Sequence, residues 1–162
     1  MSIGDAEIKT QERVIRFFKD PEILGYQYIG NLSDHQNKNI KEDRLRQYLR
    51  LKGYADKLVD TAVMQLQQEA GNLSRGVYDA NKTVYSRLKY GIPVSESPEK
   101  PPVTVELIDE ANPLNNDFAI AEEVTVVEQQ EKRPDLVIYL NGIAVAVIEL
   151  KRSSISVSEG IR

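Results

Sequence analysis

Three ionisable residues stand at the ends of the two most apolar segments of the chain. Asp135 precedes the run LVIYL, and Glu149 and Lys151 follow the run IAVAVI. Two carboxylates placed close together on a half-buried surface repel one another unless a cation lies between them. A divalent metal such as Mg²⁺ accepts one or two carboxylates and keeps positions for water and a phosphate. The spacing therefore suggests metal-assisted hydrolysis of a phosphodiester.

Each of these residues has a definite role in such a reaction. Asp135 and Glu149 would hold the metal together with the backbone carbonyl of Leu150. Lys151 would orient or help deprotonate the attacking water and stabilise the charge that develops on phosphorus. The competing interpretation is an exposed cross-strand ion pair, which contributes only about 0–1 kcal/mol. The residues alone leave both interpretations open.

The dipeptide Asn141-Gly142 between the two apolar runs predicts a β-hairpin. A regular two-residue loop directs the side chains of Asp135 and Glu149 to opposite faces of the hairpin, which precludes a joint site. A three-residue loop, or an equivalent bulge elsewhere in the pair, places both acids and Lys151 on one face. The metal-site hypothesis therefore predicts an irregular hairpin.

The hairpin strands are apolar on both faces, so helices are expected on both sides of the sheet. The sequence predicts an α/β fold with a mixed β-sheet flanked by helices and an inserted helical region. In the first helix, an apolar stripe is expected at Ile8, Val14, Ile15 and Phe18. Helices are predicted at 5–19, 41–52, 55–69 and 77–90, and further strands at 25–30, 103–108 and 118–127.

The 162 residues predict one domain with a single core. An N-terminal helix and strand (1–30) would be followed by a helical region (31–91), an exposed proline-rich connector (92–102) and the sheet (103–162). The final residues suggest a helix that has barely begun. We therefore interpret the chain as the N-terminal piece of a longer polypeptide.

The composition excludes several classes of site. Cysteine is absent, which excludes disulfides and thiolate zinc sites. With His35 as the single histidine, a metal site must use oxygen ligands and hence a hard cation. The net charge of −4 argues against nucleic-acid binding through a global positive field. No apolar run approaches a membrane span and no signal peptide is recognisable, which predicts a cytoplasmic protein without membrane contact.

Pro134-Asp135, followed after fourteen positions by Glu149 and then by Lys151, resembles the PD-(D/E)xK nuclease signature. The wider context resembles the N-terminal nuclease domain of the restriction (R) subunit of type I restriction-modification enzymes, which has a restriction-endonuclease-like fold. The segments that carry this resemblance are RGVYDANKTVYSRLKYGIPV, NPLNNDFAIAEEVTVV and RPDLVIYLNGIAVAVIELK, and it extends back to the first helix.

The resemblance implies magnesium-dependent cleavage of double-stranded DNA, with manganese as a substitute metal. Asp135 and Glu149 match the metal-binding acids, and Lys151 matches the catalytic lysine. Such nucleases often add an acid from the first helix, which Glu7 would supply; Gln11 stands where a second acid is often found. A later helix of the family's site would begin where this chain ends, so we expect the fragment to be inactive alone.

The resemblance also implies partners and further domains. The full subunit of this family contains an ATP-driven translocase and joins methylation and specificity subunits. The chain contains no Gly-x-x-x-x-Gly-Lys-Ser/Thr loop, so ATP binding is expected only in motor domains outside it. The alternative function is a non-catalytic docking module with a nuclease-like fold. Opposite orientations of Asp135 and Glu149 would favour that alternative.

Four other features each allow a functional or a structural interpretation. A basic run could track phosphates, but is more typical of a solvated helix face. Three tyrosines of the fourth predicted helix are expected to pack rather than to stack on bases, and His35 is expected in an ordinary loop. Asn115, Asn116 and Asp117 look like turn formers. The basic run comprises Lys38, Lys41, Arg44, Arg46, Arg50 and Lys52, and the tyrosines are Tyr78, Tyr85 and Tyr90.

Overall fold

The structure, a computed structural model, describes residues 3–33, 38–74, 76–95, 97, 99–124, 126–127, 131–132 and 134–150. Four helices lie within two residues of their predicted bounds: α1 (Ile3–Lys19), α2 (Glu42–Leu51), α3 (Asp56–Gly71) and α4 (Val77–Tyr90). The strands are β1 (Gln27–Asn31), β2 (Ile92–Val94), β3 (Val103–Val105), β4 (Phe118–Glu122), β5 (Val126–Val127), β6 (Glu131–Lys132), β7 (Leu136–Leu140) and β8 (Ile143–Ile148).

The largest sheet has the strand order β1-β4-β7-β8 and is mixed, as the sequence predicts. β1 runs parallel to β4, with Tyr28 beside Ile120. β4 and β7 run in opposite directions: the Glu123 amide donates to the Asp135 carbonyl at 2.9 Å at one end, and the Asn141 amide donates to the Asp117 carbonyl at 2.7 Å at the other. The last residues of β4 and the first residues of β7 therefore lie at the same end of the sheet.

Helix α1 covers one face of this sheet. Ile15 is buried in an apolar cluster with Ile120 of β4 and Leu136 of β7, and Val14 and Phe18 pack against it. These three residues of α1 confirm most of the predicted apolar stripe. Ile8, by contrast, is 58% exposed, so its assignment to the packed stripe is wrong. The contact of α1 with the sheet therefore begins after Ile8.

The opposite face of the sheet carries a second cluster, formed by Ala119, Ala121, Val124, Val137 and Tyr139. Ala144 of β8 packs against it. Alternate residues of β4 and β7 thus fill two different clusters, as expected for strands that are apolar on both faces.

The helical region forms a compact unit with its own core, so the prediction of a single core is wrong. By its contacts, Ile40–Asp117 separates from the unit that contains α1 and the sheet, and it includes the hairpin turn Leu140–Ile143. Its buried cluster takes Leu45 and Leu49 from α2 and further residues from α3, β2 and β3.

The exposed connector predicted for 92–102 is wrong at its start. Ile92 and Val94 are almost completely buried, and β2 pairs with β3 in a two-stranded antiparallel sheet. Pro93 between them faces solvent. Because proline is tolerated on an edge strand, the proline content was a poor guide at this position.

The β7–β8 turn consists of Asn141 and Gly142, both in left-handed conformations with φ of 51° and 81°. This is the two-residue turn that Asn-Gly favours. A Cβ atom on Gly142 would lie 2.6 Å from the Lys41 carbonyl oxygen and 2.9 Å from the Leu45 amide nitrogen. Both the conformation and the close approach of α2 therefore require glycine.

We expect Gly142→Ala to destabilise the protein by about 3 kcal/mol, because left-handed strain of about 1–2 kcal/mol adds to an overpacking cost of about 1–3 kcal/mol. Gly53→Ala is the matched control: Gly53 has φ of 88°, but nothing lies within 4 Å of its would-be Cβ. It should cost only the strain, about 1–2 kcal/mol. Denaturant unfolding measures both; equal losses would contradict the steric argument.

Candidate active site

Asp135 occupies the bend that leads into β7, where it is half-buried. Its Oδ2 accepts a hydrogen bond of 2.5 Å from the backbone amide of Leu150. Its own carbonyl accepts the amide of Glu123. The carboxylate is therefore oriented by backbone on the side of β8, and its second oxygen Oδ1 is not used by this bond.

Glu149 lies immediately after the last residue of β8 and is exposed. The amide that reaches Asp135 belongs to the peptide group that joins Glu149 to Leu150. The structure therefore brings the segments that carry the two predicted acids together at the open end of the hairpin. Asp135 and Leu150 are fifteen positions apart in the sequence.

Two irregularities of the hairpin were predicted as alternatives, a three-residue loop or a bulge elsewhere in the pair. The loop has two residues, so the three-residue alternative is wrong. However, Ala144 packs against the cluster of Val137 and Tyr139, whereas Ile148 packs against the cluster on the other face. Residues four positions apart share a face in a regular strand, so the alternation of β8 is interrupted between them. A regular two-residue hairpin would direct Asp135 and Glu149 to opposite faces. The interruption in β8 removes this objection to a joint site.

For two predicted site residues, the side chains lie outside the described part of the structure. Lys151 lies outside the described residues, and Glu7 lies in α1 with its side chain outside them. In the part of the chain that the structure describes, no three Asp, Glu, His or Cys side chains converge as a metal-binding group. The donor types of Asp135 and Glu149, carboxylate oxygens only, fit a hard cation such as Mg²⁺ or Mn²⁺.

A further acid at this end of the sheet was missed by the sequence analysis. Glu122, the last residue of β4, accepts hydrogen bonds from the Tyr28 hydroxyl at 2.6 Å and from the Gln11 side-chain amide at 3.0 Å. We call these three residues the Glu122 clamp. The only signal in the sequence is an acid that closes the apolar strand FAIAE.

The Glu122 clamp also contributes to the raised pKa of Tyr28. Burial, together with the hydrogen bond to the Glu122 carboxylate and its negative charge, raises the pKa of Tyr28 to about 12. The ammonium of Lys19 lies 5.0 Å from the centre of the Tyr28 ring. Tyr28 therefore stays a neutral hydrogen-bond donor to Glu122 at ordinary pH.

The basic run of α2 is largely paired with acids of the same unit. Arg44 binds Asp117 through two hydrogen bonds of 2.9 and 2.5 Å. The other ion pairs among the described residues of this run include Arg46 with Glu42 and Asp60, Arg50 with Asp56, and Lys52 with Glu106 and Asp109. This pairing favours the interpretation as a locally neutralised helix face over a phosphate-tracking surface.

The tyrosines of α4 do not pack as predicted. Tyr78, Tyr85 and Tyr90 are 78%, 63% and 68% exposed. His35 lies outside the described residues. The turn predicted for the Asn-Asn-Asp segment is confirmed at Asn115 and Asn116, whose amides donate to the carbonyls of Asn112 and Pro113 in a 3-10 turn. Asn116 and Asp117 also hydrogen-bond to Asn141 of the hairpin turn.

The family described as type I restriction enzyme R protein N terminus matches residues 7–162. The chain belongs to this family. Asp135, Glu149 and the Glu122 clamp all lie within the matched region, which also includes the whole helical unit.

The chain is also similar to part of an endonuclease subunit of a type I restriction enzyme. The putative type I restriction enzyme MjaIXP endonuclease subunit of Methanocaldococcus jannaschii is 37% identical over 76 residues, which are 43% of this chain and 7% of that protein. The chain thus matches a small part of its relative's length. No solved structure matches significantly. Among the described helices, none is long and apolar enough to cross a membrane.

We predict that the folded protein loses stability as the pH rises from about 10, the ordinary tyrosine value, to about 12. Burial raises the pKa of Tyr139 to about 12 as well. Both phenols ionise more easily in the unfolded chain, so their contribution is complete below pH 10 and is lost above it. Tyr28→Phe should reduce the alkaline fall in melting temperature, whereas Tyr78→Phe, at an exposed position, should not. An identical fall in both variants would contradict the raised pKa of Tyr28 in the folded protein.

Proposed function

We propose that this chain is the magnesium-dependent DNA endonuclease domain of a type I restriction enzyme R subunit, and that it hydrolyses phosphodiesters of double-stranded DNA. The observation that carries the proposal is the hydrogen bond from the Leu150 amide to the Asp135 carboxylate. It ties the first acid of the predicted site to the segment that contains Glu149 and leads into Lys151. Family membership supports the same conclusion.

Asp135, Glu149 and the carbonyl of Leu150 would hold Mg²⁺, with Mn²⁺ as a substitute. The bound metal would supply Lewis acidity and neutralise the negative charge of the phosphate. The Leu150 amide keeps the Asp135 carboxylate oriented before DNA arrives, which is the task of an outer-shell group. Lys151 would orient the attacking water and stabilise the charge that develops on phosphorus.

The direction of α1 supports Glu7 as an additional acid. Ile15 lies in one cluster with Ile120, and Gln11, one turn earlier, contacts Glu122, two residues later in β4. Four residues of helix advance about 6 Å and two residues of strand about 6.6 Å, so successive contacts of α1 and β4 keep the same spacing. The backbone of α1 at Glu7 would therefore lie one turn beyond the end of β4, near the start of β7.

The proposal extends to the larger protein. An ATP-driven motor in another part of the polypeptide, and methylation and specificity subunits as partners, would deliver DNA to this domain in the cytoplasm. ATP would bind in that motor. Recognition of the DNA sequence would then belong to another subunit, which fits a domain whose net charge is −4.

In the assembled full-length enzyme, Asp135→Asn and Glu149→Gln should lower DNA cleavage by more than about 100-fold, since even outer-shell partners of metal ligands contribute about 10–100-fold. Asp135→Asn keeps an oxygen that can accept the Leu150 amide, so it removes charge with little change in shape. ATP-driven translocation should be unchanged. Glu110→Gln, at an exposed acid in the loop before β4, should cleave normally. Full cleavage by Asp135→Asn would instead favour the non-catalytic docking module.

Manganese binding gives an independent test on the isotopically labelled chain. Mn²⁺ should broaden amide signals around residues 135 and 149–151 by paramagnetic relaxation, and Asp135→Asn should abolish that localised broadening. The same titration with a DNA duplex present covers a site that needs the phosphate as a ligand. Broadening that is unaffected by Asp135→Asn under both conditions would contradict the assignment of Asp135 as a ligand.

A further inference from the structure

Glu122 is a half-buried carboxylate with an unusual set of partners. Both of its oxygens accept hydrogen bonds, and both donors are neutral: the Tyr28 hydroxyl and the Gln11 amide. These contacts join three separate elements, because Gln11 comes from α1, Tyr28 from β1 and Glu122 from β4. The Glu122 clamp therefore fixes α1 and β1 on the last residue of β4.

The chain changes direction directly after the clamp. Glu123 has a positive φ of 52°, and its amide donates to the carbonyl of Asp135 at 2.9 Å. A displacement of Glu122 along the strand would shift that amide, and with it the backbone of Asp135. The Asp135 carboxylate in turn needs a fixed position to accept the Leu150 amide.

We propose that Glu122 is a positioning residue for the nuclease site, acting with Gln11 and Tyr28 to set the location of Asp135. This inference rests on the proposed function. Glu122 acts through hydrogen bonds to neutral donors rather than as a metal ligand. Loss of a direct hydrogen-bond partner of a metal ligand weakens metal affinity by about 10–100-fold, and because Glu122 reaches Asp135 through the backbone of Glu123, we expect the lower end of that range.

Substitutions at the two ends of the Gln11–Glu122 hydrogen bond separate positioning from chemistry. Gln11→Glu would place two carboxylates where the donor and acceptor now stand 3.0 Å apart, and their repulsion would open the clamp. The reciprocal double variant, Gln11→Glu with Glu122→Gln, restores an amide-to-carboxylate hydrogen bond with the partners exchanged. Tyr28→Phe removes the second donor but keeps the aromatic ring in its apolar cluster.

The measurement is the magnesium concentration that gives half-maximal DNA cleavage by the assembled full-length enzyme. We expect Gln11→Glu to raise it about tenfold or more, and Tyr28→Phe to raise it by less, because Tyr28→Phe removes a hydrogen bond without adding a second negative charge. The double variant should recover most of the loss. ATP-driven translocation and the melting temperature are measured alongside, and Glu110→Gln serves as the control.

Three results would overturn the proposal. Variants that lower the melting temperature but leave the magnesium requirement unchanged would show that the clamp is merely structural. A double variant as impaired as Gln11→Glu would exclude the exchange of partners. Loss of cleavage in Glu122→Gln as complete as in Asp135→Asn would make Glu122 part of the chemistry. If Asp135→Asn itself cleaves normally, the proposed function fails instead, whatever the clamp variants do.

Discussion

The side chain of Asn141 is completely buried, and the geometry of the β7–β8 hairpin depends on it. Its amide donates to the Leu107 carbonyl and to the Asn116 side chain, and its oxygen accepts the Asp117 amide, all within 2.8 Å. A buried polar group is tolerated only when its hydrogen bonds are made, so this turn has a single satisfactory arrangement. The pairing of β7 with β8 starts from that fixed point, and the acids stand at the other end of the same two strands.

Local patterns predicted the helices well, because each apolar period ends at a local stop signal: Gly53, Gly71 and Gly91 follow or close three of them. Such signals depend on the nearest residues and need no knowledge of the rest of the fold. The errors arose where tertiary contacts decide. Ile8 has the right spacing but lies before the point where α1 meets the sheet, and Ile92 gains its burial from partners far along the chain.

In the candidate site, too, local sequence features were predictable and features that depend on tertiary contacts were not. Asp135 and Glu149 were identified from residue type and spacing, and the Asn-Gly dipeptide located the turn. Of the two irregularities predicted for the hairpin, the three-residue loop was wrong. The position of the interruption in β8 could not be predicted, because it lies inside an apolar run, IAVAVI, that gives no sequence signal for it. Glu122 could not be found from spacing, because its partners Gln11 and Tyr28 lie 111 and 94 residues away.

The neutral side chain of Gln11 makes sense once its partner is known. An acid at this position of α1 would face the Glu122 carboxylate at hydrogen-bond distance, and one of the two would be driven to protonation unless a cation intervened. With glutamine on the helix, a single negative charge remains, and the amide holds it without neutralising it. The neutral side chain of Gln11 is therefore compatible with the acid that closes β4. In the fold, Gln11 is the donor that orients the Glu122 carboxylate.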